Sequence, residues 1–266
     1  MKFHKFDGAG NDFILVDIRD NDPRLTEQQI ARICHRRFGV GGDGLMTLGR
    51  KEGFDFEMRY YNSDGRLGSM CGNGGRCITA FAYLLGIEPT DGVFRFVGYD
   101  GPHDAQMLLW DKQQQMGLVR LGMRDIETTE IRRIVDEEQG LNGYFLDTGS
   151  PHFVQRVSDL EHYDVFGQGR RMRHLLDYFP EGTNVDFIED LPDGSLFVRT
   201  YERGVEDETW ACGTGVTACA IVSGNQRLKA KGGDFKVTFN ATGKAYTNVQ
   251  LTGPVVLNFT GEIDLQ

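Results

Sequence analysis

An internal repeat constrains the fold of this chain more than any other feature of its sequence. The segment Cys71-Gly72-Asn73-Gly74 returns as Cys212-Gly213-Thr214-Gly215, 141 residues later (212 − 71). Further segments recur in the same order at an offset of 140 or 141 residues: Phe6-Asp7 and Phe13 as Leu146-Asp147 and Phe153, Gly41-Gly42-Asp43 as Gly182-Thr183-Asn184, and Arg59-Tyr60-Tyr61-Asn62 as Arg199-Thr200-Tyr201-Glu202. Repeated matches in one order at one offset indicate a duplication, and so two similar domains.

The length of 266 residues accommodates two domains of ordinary size. We predict a first domain over residues 1–115, which carries Cys71, with the last strand, at 255–266, returning to complete it. The second domain is predicted over residues 116–254 and carries Cys212. The border is expected near 113–117.

Each half is predicted to contain one amphipathic helix and one apolar helix. Thr26 and Gln29 form a capping-box pattern that predicts a helix at 27–37 with Gly39 as its stop signal. The repeat offset places its counterpart at 164–177, and apolar helices are predicted at 75–85 and 215–223. Strands are predicted at 3–6, 12–17, 54–61, 94–98, 106–109, 197–201, 235–239, 244–251 and 255–259, and residues 124–142 match no pattern.

Composition excludes several classes of function. The formal net charge of −10 argues against binding to nucleic acid or to anionic membranes, both of which need a basic face. No apolar run approaches the ~18 residues of a membrane span, and the N-terminus turns polar after Phe6, without the apolar core of a signal peptide. We therefore expect a cytoplasmic protein whose five cysteines are thiols.

The two Cys-Gly-x-Gly turns are the strongest candidates for chemistry. Each is predicted to place a cysteine at the start of an apolar helix, where glycines leave backbone N–H groups open. The positive end of a helix dipole lowers a thiol pKa and binds anions such as a carboxylate. One turn alone is more typical of a buried structural cysteine, but two at matching places in a repeat favour function.

A pair of cysteines in this setting is typical of inversion at an α-carbon. One base removes the α-proton from one face, and one acid delivers a proton to the other, so a thiolate and a thiol can exchange roles. Helix N-termini stabilise the charge that develops on the substrate carboxylate. Cys34, Cys77 and Cys219 lie within predicted helices and are interpreted as core thiols.

Together the motifs resemble those of diaminopimelate epimerase. The shared set comprises both cysteine turns, Gly10-Asn11-Asp12-Phe13, Tyr61-Asn62-Ser63-Asp64-Gly65, Gly182-Thr183-Asn184 and Glu202-Arg203-Gly204. The resemblance implies an α+β fold of two similar pseudo-symmetric domains, each a β-barrel-like sheet around a central helix, with the active site in the cleft between them. It also implies a cytoplasmic homodimeric isomerase without cofactor or metal. Such an enzyme interconverts LL- and meso-diaminopimelate in the synthesis of lysine and of peptidoglycan precursors.

The resemblance also implies roles for individual residues. Cys71 and Cys212 match the proton-exchanging pair, His152 a histidine that adjusts their protonation, and Glu202 a group near the reacting amine. The substrate-binding set that the family implies is Asn11, Asn62, Gly72, Asn73, Asn184, Glu202, Arg203, Gly213 and Thr214. Arg203 suits a distal carboxylate because a guanidinium binds it through two parallel hydrogen bonds.

Plainer interpretations stay open for the polar residues. Asn11, Asn62 and Asn184 are also typical of turn caps, and Arg203, Glu202 and His152 of solvated surface positions. Two positions depart from the family pattern: Ser150 stands before Pro151-His152 where an Asn is usual, and Gly44 stands where some members have Gln. Both departures concern the distal end of the substrate.

Three rival functions fit less well. A proline racemase also uses two cysteines, but a His is expected where this chain has Asn73. A zinc or disulfide-cycling protein usually carries Cys-x-x-Cys or nearby histidines, whereas the cysteines within each half are six and seven residues apart. A non-catalytic anion-binding protein would not need a cysteine in each turn.

Overall fold

The structure is a computed structural model that describes residues 1–68 and 71–265. Met70, which precedes the first cysteine turn, lies outside the described residues. The strands are β1 (Lys2–Gly8), β2 (Asn11–Asp17), β3 (Gly44–Gly49), β4 (Phe56–Asn62), β5 (Leu67–Gly68), β6 (Phe94–Gly98), β7 (Gly101–Asp111), β8 (Met116–Gly122), β9 (Ile126–Glu127), β10 (Arg132–Asp136), β11 (Leu141–Asp147), β12 (Pro151–Arg156), β13 (Asn184–Asp190), β14 (Leu196–Glu202), β15 (Asp207–Thr209), β16 (Arg227–Ala230), β17 (Gly233–Ala241) and β18 (Ala245–Glu262). The helices are α1 (Glu27–Cys34), α2 (Gly72–Leu84), α3 (Val165–Arg173) and α4 (Gly213–Ser223), with short 3₁₀ turns at Thr90–Gly92, Thr128–Glu130 and Leu160–His162. The predicted α+β class is therefore confirmed.

Two compact units divide the chain. One comprises Met1–Leu121 and Gly253–Gln266, and the other comprises Gly122–Thr252. Strand β18 contributes its first half to the second unit and its end to the first. Residues 113–117, where we expected the border, cover the turn between β7 and β8 and the start of β8, inside the first unit.

In the first unit the sheet closes on itself. Backbone pairing runs through β1, β2, β3, β4, β6, β7, β8 and the end of β18, and β18 pairs back with β1. A closed sheet has no edge among these eight strands, so their backbone hydrogen bonds are satisfied within the unit. The result is a barrel.

Helix α2 fills the core of the first unit. Every residue from Gly72 to Ala82 is buried, and the helix packs against β1, β2, β3, β4 and β7. A helix that is apolar on all sides needs apolar surroundings on all sides. This explains why the predicted helix at 75–85 lacks a polar face, and the structure extends it back to Gly72.

The second unit repeats this arrangement with its own strands. Its sheet runs β10, β11, β12, β13, β14, β16, β17, the start of β18 and β9. Helix α4 packs against β11, β12, β13, β14, β16 and β17, and its residues from Gly215 to Ile221 are buried. Both units therefore wrap a sheet around an apolar helix that begins at a cysteine.

The connections repeat as well. In the first unit β2 pairs parallel with β3 across α1, and β4 pairs parallel with β6 across the segment that holds α2. In the second unit β12 pairs parallel with β13 across α3, and β14 with β16 across the segment that holds α4. This shared topology accounts for the constant offset of the sequence repeat.

The amphipathic helices are shorter than the sequence predicts. Thr26 and Gln29 form the predicted capping box, but α1 ends at Cys34 rather than near residue 37. A Cβ at Gly39 would lie 2.1 Å from the carbonyl oxygen of Arg32. Gly39 therefore does not stop the helix directly; it lets the chain fold back over the helix end, where the N–H of Val40 donates to the carbonyl of Ile33.

The strand prediction is wrong at one place and misses several strands, among them β3, β8, β12 and β13. The strands expected at 244–251 and 255–259 are one continuous strand, β18, because Gly253 and Pro254 keep pairing with β8. The unassigned residues 124–142 contain β9, β10 and the start of β11. The short strands β9 and β10 lack the alternation of apolar residues that reveals a half-buried strand.

Candidate active site

Cys71 caps the N-terminus of α2. Its backbone is extended (φ −106°, ψ 153°), and its carbonyl accepts the first helical hydrogen bond, from Gly75. The Sγ atom lies 3.2 Å from the backbone nitrogen of Gly74, which donates to it. Sulfur thus takes the place that a serine or threonine oxygen holds in an ordinary N-cap, at the positive end of the helix dipole.

Two asparagines flank this sulfur. The Oδ1 atom of Asn11 lies 3.9 Å from Cys71 Sγ and accepts a hydrogen bond from Asn73 Nδ2 at 3.4 Å. Asn11 is the first residue of β2, and Asn73 is in the first turn of α2. The structure therefore brings together Asn11, Cys71, Gly72 and Asn73, four of the residues that the sequence singles out.

A charged network that the sequence does not reveal orients Asn11. Asn11 Nδ2 donates to Asp43 Oδ2 at 2.6 Å, and Arg36 donates to Asp43 Oδ1 at 2.7 Å. Arg36 also binds both oxygens of Asp12, and Lys5 Nζ lies 2.5 Å from Asp12 Oδ2. With its Nδ2 held by Asp43, Asn11 can only present its oxygen to the cysteine.

The Asp12 carboxylate is expected to stabilise the first unit. Burial would raise its pKa, but hydrogen bonds from Arg36 and Lys5 outweigh burial and hold the pKa below its ordinary value of 3.8. Asp12→Asn leaves the Lys5 ammonium buried with the Gly41 carbonyl but without its charged partner, so we expect the free energy of unfolding at pH 7 to fall by about 2–4 kcal/mol. Urea unfolding at pH 7 measures this loss.

The stability difference between Asp12→Asn and the parent is expected to depend on pH. A depressed folded-state pKa contributes stability that is complete above the unfolded pKa of about 3.8 and is lost as the pH falls below it. The difference between Asp12→Asn and the parent should therefore shrink below pH 4. Asp20→Asn, at an exposed ion pair with Arg50, is the matched control and should change little. Equal stability of parent and Asp12→Asn at pH 7 would contradict this role.

Arg76 lies fully buried beneath the first turn of α2. Its guanidinium donates to the Gly72 carbonyl at 3.0 Å, to Asn73 Oδ1 at 3.0 Å and to the Gly8 carbonyl at 3.4 Å. Burial lowers the pKa of Arg76 to about 10, against the opposing effect of the nearby Cys77 and Cys71 thiols. At neutral pH a cation therefore sits near Cys71, and it also fixes the amide of Asn73.

Asn62 ends β4 at the same end of the first sheet. Its backbone pairs with Gly44 at the start of β3, and Gly44 pairs with Phe13 near the start of β2. The Asn62 side chain is exposed at the turn that leads to β5. A Cβ at Gly44 would lie 2.5 Å from the ring of Tyr60, so the tyrosine ring occupies the space into which a larger residue 44 would extend.

Cys212 begins α4 in the second unit. Like Cys71 it has extended backbone (φ −109°, ψ 115°), and its carbonyl accepts from Val216. Its Sγ lies 3.3 Å from Thr214 Oγ1. The side chain is buried, at 7 % exposure, whereas that of Cys71 is partly exposed.

The expected lowering of the thiol pKa is wrong for Cys212. Burial raises the pKa of this thiol well above its ordinary value, and the carboxylates of Glu202 and Asp186 raise it further. The hydrogen bond that the N–H of Gly215 donates to the sulfur opposes this shift but does not outweigh it. A helix N-terminus lowers a thiol pKa only where desolvation and nearby anions are weaker than the dipole.

His152 is buried beside Cys212 rather than exposed in a turn. Its Nδ1 lies 2.6 Å from Asp186 Oδ2, and its Nε2 lies 2.8 Å from Thr214 Oγ1. Both side chains of the His152–Asp186 pair are fully buried. Hydrogen bonds thus connect Asp186, His152, Thr214 and Cys212 in a continuous chain.

Asn184 holds the loop that precedes His152. Its Nδ2 donates to Ser150 Oγ at 2.9 Å and to the Pro151 carbonyl at 2.8 Å, and its Oδ1 accepts from the backbone N–H of Arg203. Both the Nδ2 and the Oδ1 of Asn184 are therefore hydrogen-bonded within the protein. Ser150, one of the two departures from the family pattern, serves here as an acceptor for Asn184.

Glu202 and Arg203 follow each other at the end of β14. The guanidinium of Arg203 donates to the carbonyl of Glu181 at 3.0 Å, and among the described residues no carboxylate forms an ion pair with it. Glu202 lies near enough to Cys212 to influence its thiol. The structure therefore brings together Cys212, Gly213, Thr214, His152, Asn184, Glu202 and Arg203 within the second unit.

Three contributors to these sites are absent from the sequence prediction: Asp43, Arg76 and Asp186. Arg76 gave a signal, since an arginine in an otherwise apolar helix needs buried partners. Asp43 and Asp186 lie beside motif residues, but no sequence pattern marks them as site residues. Cys34, Cys77 and Cys219 are buried as predicted, and burial raises the pKa of Cys34 to about 12.

Over residues 1–68 and 71–265, no helix is long and apolar enough to cross a membrane. Within the same ranges, no group of three or more His, Cys, Asp or Glu side chains is arranged to hold a metal ion.

Comparison with solved structures identifies relatives of the fold. A probable proline racemase from Agrobacterium radiobacter superposes with a TM-score of 0.69 at 17 % identity, covering 100 % of this chain and 93 % of that one. A phenazine biosynthesis protein of the PhzF family from Bacillus anthracis gives the same TM-score at 14 % identity, covering 99 % of each chain. At such identities the likeness concerns the fold alone.

Comparison of sequences is far more specific. The family model of diaminopimelate epimerase matches residues 3–112 and 144–262. Diaminopimelate epimerases from Flavobacterium psychrophilum and Chlorobaculum tepidum are 39 % and 40 % identical, and each alignment covers 97 % of this chain and 98–99 % of the relative. The relative from Aquifex aeolicus is 39 % identical over 84 % of this chain. The chain belongs to the diaminopimelate epimerase family.

Proposed function

We propose that this enzyme interconverts LL- and meso-diaminopimelate without a cofactor, with Cys71 and Cys212 as its two bases. The observation that carries the proposal is that each unit places one cysteine at the N-terminus of its central helix, within a chain that aligns with diaminopimelate epimerases over nearly its full length. Inversion at an α-carbon needs one group to remove a proton and another to supply one. The duplicated cysteine provides both.

The first turns of α2 and α4 suit the reacting carboxylate. Both helices begin with glycine-rich turns at the positive end of the helix dipole, a setting that favours an anion. As the α-proton leaves, negative charge develops on the carboxylate, and the helix N-termini stabilise it. Asn73 and Thr214 stand next to the glycines that open the two helices.

Charges of opposite sign lie beside the two cysteines and support different protonation states of their thiols in the free enzyme. The Arg76 cation lies near Cys71, whose sulfur accepts from the N–H of Gly74 at 3.2 Å, closer than the opposing acceptor Asn11 Oδ1 at 3.9 Å. The anions Glu202 and Asp186 lie near Cys212. In the proposed free enzyme, Cys71 is therefore the thiolate that removes the first proton, and Cys212 is the thiol that supplies one. The roles reverse for the other diastereomer.

Glu202 and Arg203 suit the polar groups of the substrate. In the proposal the Glu202 carboxylate takes the ammonium group of the reacting centre, since it is an anion beside Cys212. The Arg203 guanidinium, which forms no ion pair with a carboxylate of the described residues, takes the distal carboxylate. A substrate with two amino-acid ends uses both residues, whereas proline has no distal end.

The proposal includes a biological setting. Diaminopimelate serves the synthesis of lysine and of peptidoglycan precursors. We propose that the enzyme acts there as a cytoplasmic homodimer. The net charge of −10 is compatible with a small zwitterionic substrate, because a few local residues set the field in a pocket. Sedimentation of the purified protein tests the homodimer.

Substrate comparison tests the proposed activity. Purified protein, dialysed against a chelator, is incubated with LL-diaminopimelate and, in parallel, with L-proline, and the products are separated on a chiral column. Appearance of meso-diaminopimelate without any change in proline is the expected result. Racemisation of proline with unchanged diaminopimelate would instead identify a proline-racemase activity, and no reaction with either substrate would contradict both.

A further inference from the structure

Asp186 lies at the inner end of the hydrogen-bond chain that reaches Cys212. It is fully buried on β13, and both of its carboxylate oxygens are engaged. Oδ1 accepts from the Thr200 hydroxyl at 2.7 Å, and Oδ2 lies 2.6 Å from His152 Nδ1. A buried carboxylate needs such partners, and a carboxylate can only accept, so the proton of this pair lies on Nδ1.

A hydroxyl and an amide nitrogen face the other ring nitrogen of His152. Thr214 Oγ1 lies 2.8 Å from Nε2, and Asn184 Nδ2 lies 3.4 Å from it. The orientation of the Asn184 amide is fixed, because its Oδ1 accepts from Arg203 and its Nδ2 donates to Ser150 and Pro151. The Asn184 nitrogen carries only N–H groups and cannot accept from Nε2, so this contact favours an unprotonated Nε2 and the Nδ1–H tautomer.

This tautomer sets the direction of the remaining hydrogen bonds. The Thr214 hydroxyl donates its single proton to Nε2, so its oxygen is left as an acceptor towards Cys212 Sγ, 3.3 Å away. An acceptor at that position favours the thiol, whose S–H can donate to it. Within the second unit, Glu202, Asp186 and the Thr214 oxygen therefore favour the protonated sulfur, and the N–H of Gly215 opposes them.

The backbone of α4 is built around this arrangement. A Cβ at Gly215 would lie 2.4 Å from Asp186 Oδ1 and 3.1 Å from His152 Cε1. Only glycine lets the helix approach the buried pair this closely. The same glycine supplies the N–H that donates to Cys212. Gly215 therefore fixes the position of the helix relative to both the His152–Asp186 pair and the cysteine.

We infer that Asp186 is a positioning residue that keeps Cys212 protonated in the free enzyme, by fixing His152 as the Nδ1–H tautomer and so orienting the Thr214 hydroxyl away from the sulfur. The inference rests on the proposed function, since a proton held on Cys212 is the one delivered to the α-carbon. In that step the S–H bond breaks, the proton joins the α-carbon, and the electron pair stays on sulfur, next to the N–H of Gly215.

Asp186→Asn tests the direction of the hydrogen bonds that run from residue 186 through His152 and Thr214 to Cys212. An amide can present its Nδ2–H to His152 Nδ1, which moves the ring proton to Nε2. Nε2–H then donates to Thr214, and the Thr214 hydroxyl turns its proton towards Cys212 and favours the thiolate. We expect the pH midpoint for alkylation of Cys212 by iodoacetamide to fall by about one unit or more, equal to about tenfold more thiolate.

Mass spectrometry of the Cys212 peptide follows this alkylation, and Asp190→Asn is the matched control. Asp190 lies on the same strand but pairs with the exposed Arg156, so its variant should keep the parent midpoint. An unchanged midpoint in folded Asp186→Asn protein would overturn the inference. A structural role alone would lower stability without moving the midpoint.

Nitrogen NMR of the parent protein tests the His152 tautomer directly, and it does so even if Asp186→Asn fails to fold. At pH 7 we expect the His152 ring to show a protonated Nδ1 and an unprotonated Nε2. A protonated Nε2, as the other tautomer or as an imidazolium, would overturn the inference. Neither readout needs diaminopimelate, so failure of the inference is distinguishable from failure of the proposed activity.

Discussion

Cys71→Ser and Cys212→Ser are each expected to reduce turnover by about 10²- to 10⁴-fold, in both directions. A hydroxyl is a far weaker acid and base than a thiol near neutral pH, and each direction needs one cysteine as base and the other as acid. The substitution exchanges one atom at a helix N-cap, where serine is itself favoured, so α2 and α4 should persist. Chiral chromatography of LL- and meso-diaminopimelate measures both directions.

Cys219→Ala is the matched control for the cysteine pair. Cys219 is buried in α4, one helix with Cys212, but it lies seven residues further on and its thiol faces the core. We expect lower stability and unchanged turnover in the folded protein. Near-full activity of either serine variant would remove that cysteine from the mechanism.

Arg203→Lys is expected to raise KM for diaminopimelate by about 5- to 150-fold, equivalent to about 1–3 kcal/mol of binding. A guanidinium binds a carboxylate through two parallel hydrogen bonds, and an ammonium group cannot reproduce that geometry. The backbone N–H of Arg203 holds Asn184, and this contact survives the substitution, so the fold should not change. Because the distal carboxylate is remote from the reacting carbon, kcat should change less than KM.

Arg227→Lys supplies the control for the distal contact. Like Arg203, Arg227 donates a guanidinium N–H to a backbone carbonyl, that of Asp193, but it lies exposed at the start of β16. Steady-state kinetics should give parent values for this variant. Parent KM and kcat in Arg203→Lys as well would exclude Arg203 from substrate binding.

The duplication was the feature of the fold that could be predicted best. A constant offset survives because the two units repeat the same order of strands and helices, so matching residues stay at matching places. The apolar helices were also predictable, but their first turns were not. Gly72 to Gly74 have poor helix propensity, and the helix forms there because the barrel interior buries it.

The cysteines and their neighbours in sequence could be identified, whereas the groups that control them could not. Asp186 reaches Cys212 through two intermediate side chains, and Arg76 acts from a helix interior. The contacts of Asp186 join different elements and leave no spacing pattern in the sequence. Arg76 is visible only as an arginine within an apolar helix, which does not reveal its partners. The helix dipole alone predicts the wrong direction for the pKa of Cys212, because burial and two carboxylates, which only the structure reveals, outweigh the helix N-terminus.

Reaction in deuterated water tests the two-cysteine mechanism most directly. The enzyme is incubated with LL-diaminopimelate in D₂O, the reaction is stopped at low conversion, and the deuterium in each separated diastereomer is measured by mass spectrometry. Two separate bases predict that the meso product carries one deuterium at the inverted α-carbon while the recovered LL substrate carries almost none. Deuterium that enters the recovered substrate as fast as the product would show a single base acting on both faces and would contradict the mechanism.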